Sequence, residues 1–416
     1  MSEIRGYAVV GQSGGPTAAI NATLAGVIEG VITSGGGDIC GLLGMRHGID
    51  GLLSENFVDL SAEFTENGEL DTKRIARLRQ TPAAALGSCR HKLPDPEDEP
   101  EFYERLISIF RKHNIRYFFY IGGNDSMDTV SKLTRYLKKS DYAMRCVGVP
   151  KTIDNDLVGT DHTPGFGSAA KYIATTMQEI IRDCSVYDIP AVTIVEIMGR
   201  DAGWLTASAA IPRAVCGVEP DLVYLPERVF DDSRFISDVR AVLEKKPAVV
   251  VAVSEGVRFA DGRYVGEGTQ SGAADVFGHK YLSGTGKALE MMVKEKIGCK
   301  VRSVELNICQ RCASHIASAT DISESLATGR AAVASAVAGD SGVMITARRN
   351  EGDAYGVTFE SADIAGIANV IKCVPDEFIG SEGNRVTDSC IKYLLPLIRG
   401  EVETEYRDGL PVHIVL

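Results

Sequence analysis

Within the six residues Lys151-Thr152-Ile153-Asp154-Asn155-Asp156 a lysine is followed by three carboxylate or amide side chains. That density exceeds what a structural turn needs. One carboxylate can take a proton from an attacking hydroxyl. The lysine can neutralise charge developing on a transferred phosphoryl group. Two glycine-rich junctions accompany this segment. In Gly11-Gln12-Ser13-Gly14-Gly15-Pro16, Gly14 and Gly15 let backbone N–H groups approach an anion, and a helix expected from Thr17 adds partial positive charge. This reads as a phosphate cradle. The same letters fit G-x-S-x-G, but that elbow needs an acid and then a histidine later in the chain, and here it falls on the first strand. A plain tight turn is the remaining reading. In Gly122-Gly123-Asn124-Asp125-Ser126, Asn124 and Asp125 offer oxygen ligands suited to Mg²⁺, while Asp125 or Ser126 can equally cap a helix beginning near Met127.

Further polar residues follow other apolar runs. Met198-Gly199-Arg200 succeeds Ala191–Ile197, Glu255 succeeds Ala248–Val253, and Arg302 and Arg311 flank Val301–Leu306. With Arg90 they suit a substrate carrying a phosphate and several hydroxyls. Each arginine singly is more often a surface ion pair; joint placement at strand ends makes the case. Cys309-Gln310-Arg311-Cys312 is a CxxC without a second cysteine pair or a histidine at zinc spacing, so two structural cysteines are the plain reading. Ser283-Gly284-Thr285-Gly286-Lys287 imitates the end of a Walker A loop, but Tyr281 stands where its first glycine is required and Ala288 follows the lysine.

These residues need a scaffold. Continuous apolar runs suit strands buried on both faces of a parallel sheet. Such runs are Tyr7–Val10, Tyr117–Ile121, Cys146–Val149, Ala191–Ile197, Leu222–Leu225, Ala248–Val253, Val301–Leu306 and Val343–Thr346. Helices are expected over Thr17–Glu29, Glu101–Lys112, Met127–Leu137, Ser168–Arg182, Arg234–Lys245 and Leu326–Ala338. The repeated strand–helix–strand order is α/β, with enough strands for two open sheets whose ligands bind beyond the strand carboxyl ends. The segment Gly256–Gly286 breaks this rhythm and reads as an excursion. The acidic run Asp95–Glu101 reads as a solvated helix start favoured by the helix dipole.

The 416 residues suggest two or three domains. Net charge is 44 − 56 = −12, which argues against a nucleic-acid partner and leaves room only for a local basic cluster. No run of about 18 apolar residues and no leader-like amino terminus is present, so a cytoplasmic protein without membrane partners is expected. Most of the ten cysteines are expected to be small buried thiols.

Gly-Gly-Asn-Asp-Ser at 122–126, Pro-Lys-Thr-Ile-Asp-Asn-Asp at 150–156, Thr163-Pro164-Gly165-Phe166-Gly167-Ser168-Ala169 and Val195-Glu196-Ile197-Met198-Gly199-Arg200-Asp201-Ala202-Gly203-Trp204 resemble, in order and spacing, the phosphofructokinase family. The likeness runs from Gly11 to Gly400. It implies two doubly wound, mainly parallel-sheet (Rossmann-like) α/β domains with the active site in the cleft between them. The corresponding boundaries are 1–160 with roughly 312–360 for the phosphoryl donor, and 161–311 with roughly 361–416 for the sugar phosphate. By the same resemblance, Asp154 is the base that deprotonates the 1-hydroxyl of fructose 6-phosphate. Thr152, Ile153 and Asp156 position sugar and phosphoryl group, while Met198, Gly199, Arg200 and Glu255 bind the sugar. Arg302, Ile308 and Arg311 fall where the 6-phosphate is gripped, one arginine coming from a second subunit of a homodimer or homotetramer. Gly14, Gly15, Arg90 and Ser126 fall on the donor side, and Asn124 at the Mg²⁺ position.

ATP-dependent members carry glycine where this chain has Asp125 and Lys151. A carboxylate at 125 fills and repels the place of an α-phosphate, whereas pyrophosphate has none. Asp125 with Lys151 therefore implies reversible transfer from pyrophosphate, giving fructose 1,6-bisphosphate and phosphate. An ATP-dependent kinase and a catalytically silent regulatory paralogue are the alternatives. The chain departs from the common pattern at Asn124, usually Asp, at Ile308, usually His or Tyr, and at Cys312, commonly Gly.

Overall fold

The computed structural model describes residues 4–34, 37–267, 284–352 and 354–416. Its strands, in chain order, are β1 (Gly6–Gln12), β2 (Ile39–Met45), β3 (Phe57–Asp59), β4 (Thr65–Glu66), β5 (Glu69–Leu70), β6 (Ile115–Gly122), β7 (Arg145–Pro150), β8 (Ala191–Ile197), β9 (Leu222–Tyr224), β10 (Ala248–Ser254), β11 (Lys300–Glu305), β12 (Val343–Arg349), β13 (Val357–Asp363), β14 (Tyr406–Arg407) and β15 (Leu410–Pro411). Seven of them form one sheet in the order β13-β12-β7-β6-β1-β2-β3, and four form a second in the order β11-β8-β10-β9. β4 with β5 and β14 with β15 are small hairpins.

Pairing is parallel through the middle of the large sheet and throughout the small one. In these two sheets, among the described residues, only the edge strands β3 and β13 run antiparallel. In β6 the reason for the continuous apolar run is visible. Tyr117, Phe119 and Ile121 enter the core on one face while Ile115, Phe118 and Tyr120 enter that on the other. Each such full burial contributes about 2 kcal/mol.

The eight strands expected from the apolar runs are present; five extend slightly further, β8 has the expected bounds, β9 ends one residue early at Tyr224, and β11 starts and ends one residue earlier than expected. β2, β3 and β13 lack that signature. Ile-Cys-Gly-Leu-Leu-Gly-Met in β2 has weak β propensity, and neighbouring strands decide its state. All six helix starts also differ, Ala319–Ala338 beginning seven residues before the expected Leu326, and two of them bear on the site. The first helix is Ile20–Thr33, later than Thr17, because the Thr17 side chain accepts the Ala19 N–H at 3.2 Å and holds the loop open. The helix Asn124–Leu137 begins earlier than Met127, with Gly123 as its uncapped N-terminal residue. Asp125 and Ser126 therefore lie inside its first turn and do not cap it. The expected excursion from Gly256 includes residues 268–283, outside the described residues, as do Tyr281 and Ser283 of the Walker-like stretch.

Ile20–Thr33 packs against Ala319–Ala338 at a crossing built on small residues. A Cβ on Gly26 would lie 2.0 Å from the Leu326 carbonyl oxygen, and one on Gly329 would lie 2.2 Å from that of Thr23. Only glycine permits so close an approach. Asp321 of the second helix then accepts the Gly165 and Ser168 N–H groups, each at 2.9 Å, and so caps the helix Phe166–Cys184 that leads to the small sheet. Of the ten cysteines, all unpaired, only Cys89, Cys146 and Cys390 are buried. Cys309 and Cys312 are exposed because they sit on a one-turn surface helix. Among the described residues, no helix is long and apolar enough to cross a membrane.

Candidate active site

The carboxyl ends of β1, β6, β7, β8 and β10 converge on one cleft of about 470 Å³. Parallel strands place their following loops on one side, so residues far apart in sequence meet there. From the large sheet come Gly14, Gly15, Asn124, Asp125, Ser126, Lys151, Thr152, Ile153, Asp154 and Asp156; Arg90 joins them from a preceding loop. From the small-sheet side come Met198, Arg200, Glu255 and Arg311.

The glycine loop is shaped by φ +76° at Gly14, a conformation that a Cβ makes costly. Its N–H donates to the Cys89 carbonyl at 3.1 Å, and its carbonyl accepts from Ser88 Oγ at 2.7 Å. Lys151 lies beneath this loop, 2% exposed, with Nζ donating to the Gly15 carbonyl at 2.6 Å. A Cβ on Gly15 would be 3.7 Å from an Arg311 guanidinium nitrogen, so lysine and arginine both face the cradle. Because the first helix starts only at Ile20, its dipole is set back from Gly14. The helix N-terminus that does face the cleft belongs to Asn124–Leu137, whose first turn has no side-chain cap.

Burial pushes Lys151 down to about 8, against the pull of Asp154 and Asp156. Burial, reinforced by the neighbouring Asp156 carboxylate, pushes Asp154 up to about 7. Burial also raises Asp156, while a bond from Asn124 opposes the rise. A base near 7 matches proton transfer at neutral pH. The Thr152 hydroxyl accepts the Asp154 N–H at 3.1 Å and fixes the turn that presents this carboxylate. Glu255 is raised to about 8 by burial first and by Asp154 second. At neutral pH its carboxyl therefore keeps a proton and offers a donor as well as an acceptor. Its Oε1 accepts the Gly199 N–H at 3.3 Å.

Asn124 Nδ2 donates to Asp156 Oδ2 at 3.3 Å, yet the buried atoms Asn124 Oδ1 and Asp156 Oδ1 have no hydrogen-bond partner. Two orphaned hard oxygens on residues joined by that bond, in a carboxylate-rich cleft, are ligands of the kind a hard cation takes, with substrate and water oxygens supplying the rest.

Three expected residues do not line the cavity. Gly199 stands behind it, at φ +126°, holding Glu255. Ile308 is 54% exposed at the start of the CxxC turn. Arg302 is the third residue of β11, opposite Thr193 near the beginning of β8. It is therefore not at a strand end as expected, and lies roughly 16 Å along the sheet from the cleft. Because β11 runs parallel to β8 in this register, a residue early in the strand lies toward the amino ends, on the side away from the cleft. Gln310 is 2% exposed, and its Oε1 accepts the Met198 N–H at 3.2 Å, so the CxxC turn fastens the Met-Gly-Arg loop.

Sequence reasoning missed Asn369 and Ile371, which close one cleft wall. Ile371 bridges to Leu157, and the Lys372 N–H donates to the Asp156 carbonyl at 2.8 Å. No motif marks this strap; it reaches the site only through the fold.

A family model described as Phosphofructokinase matches residues 7–336. The pyrophosphate–fructose 6-phosphate 1-phosphotransferase of Halomonas elongata is 42% identical over 403 residues, covering 96% of this chain and 93% of that protein. The protein of the same name from Xanthomonas campestris pv. campestris is 40% identical over 414 residues, covering 99% and 96%. The solved pyrophosphate-dependent phosphofructokinase from Nitrosospira multiformis superposes with a TM-score of 0.87 at 38% identity, covering 99% of this chain and 96% of that one. With a family model spanning most of its length and relatives this similar from end to end, the chain belongs to the phosphofructokinase family.

Proposed function

We propose that the chain transfers a phosphoryl group reversibly from pyrophosphate to the 1-hydroxyl of fructose 6-phosphate. The observation that carries this reading is Lys151, buried under the Gly14–Gly15 loop in one cleft with Asp154 and Asp125. Asp154 takes the proton of the 1-hydroxyl as its oxygen attacks the nearer phosphorus. The Lys151 ammonium steadies the departing phosphate. The carboxylate of Asp125, on the first helical turn facing the cleft, leaves no place for an α-phosphate. Gly14, Gly15, Arg90 and Ser126 hold the donor, and Thr152, Ile153, Met198, Arg200, Glu255 and Arg311 hold the sugar phosphate.

Asn124 and Asp156 would hold Mg²⁺ through the orphaned oxygens, Asp156 compensating for the charge that Asn124 lacks. When bound, the ion neutralises charge on the pyrophosphate oxygens. The distance of Arg302 from its own cleft supports its donation to the cleft of a second subunit in a homodimer or homotetramer. The two sheets support a donor half of 1–160 with about 312–360 and a sugar half of 161–311 with about 361–416. The enzyme would work in the cytoplasm.

The test is a matrix of initial rates with pyrophosphate, ATP or ADP against fructose 6-phosphate and other sugar phosphates, with Mg²⁺ present. Turnover is expected with pyrophosphate and fructose 6-phosphate. Fast turnover with ATP and none with pyrophosphate overturns the proposal.

A further inference from the structure

Between the two acids of the phosphoryl-transfer segment stands a residue the mechanism does not use. Asn155 is fully buried and has φ +53°, so its side chain turns inward while Asp154 and Asp156 face the cleft. Its Nδ2 donates to the Tyr393 hydroxyl at 3.1 Å, and its Oδ1 accepts from Lys372 Nζ at 3.1 Å. The same ammonium donates to the Thr160 carbonyl at 3.1 Å and the Asp161 carbonyl at 2.7 Å. Three N–H donors thus meet three acceptors, all on the segment that carries the two acids or its continuation.

Lys372 is fastened in turn from the sugar side. The Trp204 indole N–H donates to the Lys372 carbonyl at 2.9 Å, and the ammonium lies 5.3 Å from the indole ring centre. Trp204 closes the Met-Gly-Arg-Asp-Ala-Gly-Trp stretch whose Met198, Arg200 and Asp201 line the cleft. One residue therefore ties the loop bearing Asp154, through its ammonium and its N–H, to the loop bearing Arg200, through its carbonyl and the indole beneath its ammonium.

We infer that Lys372 is a positioning residue for phosphoryl transfer, acting through Asn155 to set Asp154 and Asp156 against the sugar-binding loop. This rests on the phosphotransferase reading for its kinetic part. Most groups that hold the two substrates, Gly14, Gly15, Arg90, Ser126, Glu255 and Arg311, lie on other loops and stay in place when the tie is cut. The loss should therefore fall on the chemical step, where a displacement of about 1 Å costs roughly 100-fold.

The experiment compares Lys372→Met, which keeps the stem against Trp204, with Asn155→Gly, which keeps the positive φ and removes only the anchor, and with the double variant. Melting temperatures and backbone hydrogen exchange over residues 152–161 are recorded beside kcat and KM. Expected are a fall in kcat of about 100-fold with KM for both substrates changed less than about threefold, faster exchange over 152–161 in both single variants, and a double variant no worse than the poorer single one. Lys372→Arg should recover part of kcat. Unchanged exchange over 152–161, a fall confined to KM, or losses that multiply in the double variant overturn the inference. A parent enzyme inactive with pyrophosphate overturns the functional reading instead, and the exchange comparison in the variants still decides the positioning role.

Discussion

The two central groups titrate on either side of neutrality, so the rate should show a narrow optimum. Transfer needs Asp154 as carboxylate and Lys151 as ammonium. Burial and Asp156 push the first up to about 7, and burial pushes the second down to about 8. As pH falls through 7 the base gains a proton and activity drops; as pH rises through 8 the lysine loses its charge and activity drops again. The fraction of enzyme in the active form is about 60% at pH 7.5 and about 9% at pH 6 or pH 9, a roughly sevenfold decline on each side. The assay is kcat/KM for fructose 6-phosphate from pH 5.5 to 9.5, because that quantity reports the free enzyme. Lys151→Arg keeps a cation that does not titrate in this range, so its alkaline limb should vanish even if its rate is lower. A flat profile between pH 6 and pH 9 refutes the assignment. So does an alkaline limb that survives Lys151→Arg, which would move it to another buried group such as Lys372, lowered to about 8 by burial.

Asp154→Asn should reduce kcat by about 10²–10⁴-fold with little change in either KM, and retention of more than a tenth of the rate would remove Asp154 as the base. Asp125→Gly should lower kcat/KM for pyrophosphate by about tenfold and admit ATP, read by competition and by turnover; unchanged donor preference would defeat the exclusion argument. Asn124→Asp adds charge beside the orphaned Asp156 oxygen and should lower the Mg²⁺ concentration for half-maximal rate about five- to tenfold, whereas an unchanged or higher requirement would move the ion elsewhere. His162 is buried, which alone would lower its pKa, but bonds to Asp161 at 2.9 Å and Glu324 at 2.7 Å raise it. Its stabilisation is full below the unfolded value of about 6.5 and fades as pH rises through the higher folded value. Glu324→Gln should therefore cost about 1–3 kcal/mol at pH 6 and less at pH 9, by urea unfolding; a cost that grows with pH would reverse the sign.

Residue type alone marked out residues that the fold gathers in one cleft. Lysine and two acids within six residues, and glycine pairs after apolar runs, have few structural uses, so Lys151, Asp154 and the Gly14–Gly15 loop were legible without coordinates. The central strands were legible too, because burial on both faces writes an unbroken apolar run, as in β6. The edge strands of the large sheet, β3 and β13, and its inner strand β2 were not, since their state depends on neighbours that the local sequence does not name. Tertiary structure decided the contacts that join distant positions. It turned Arg302 away from its own cleft, because strand register and not proximity to a motif sets that place. It brought Asn369, Ile371 and Lys372 over Asp156 from more than two hundred residues away. It also set the protonation of Asp154 and Lys151, since a pKa depends on the water removed and the charges gathered around a group, and chain folding arranges both.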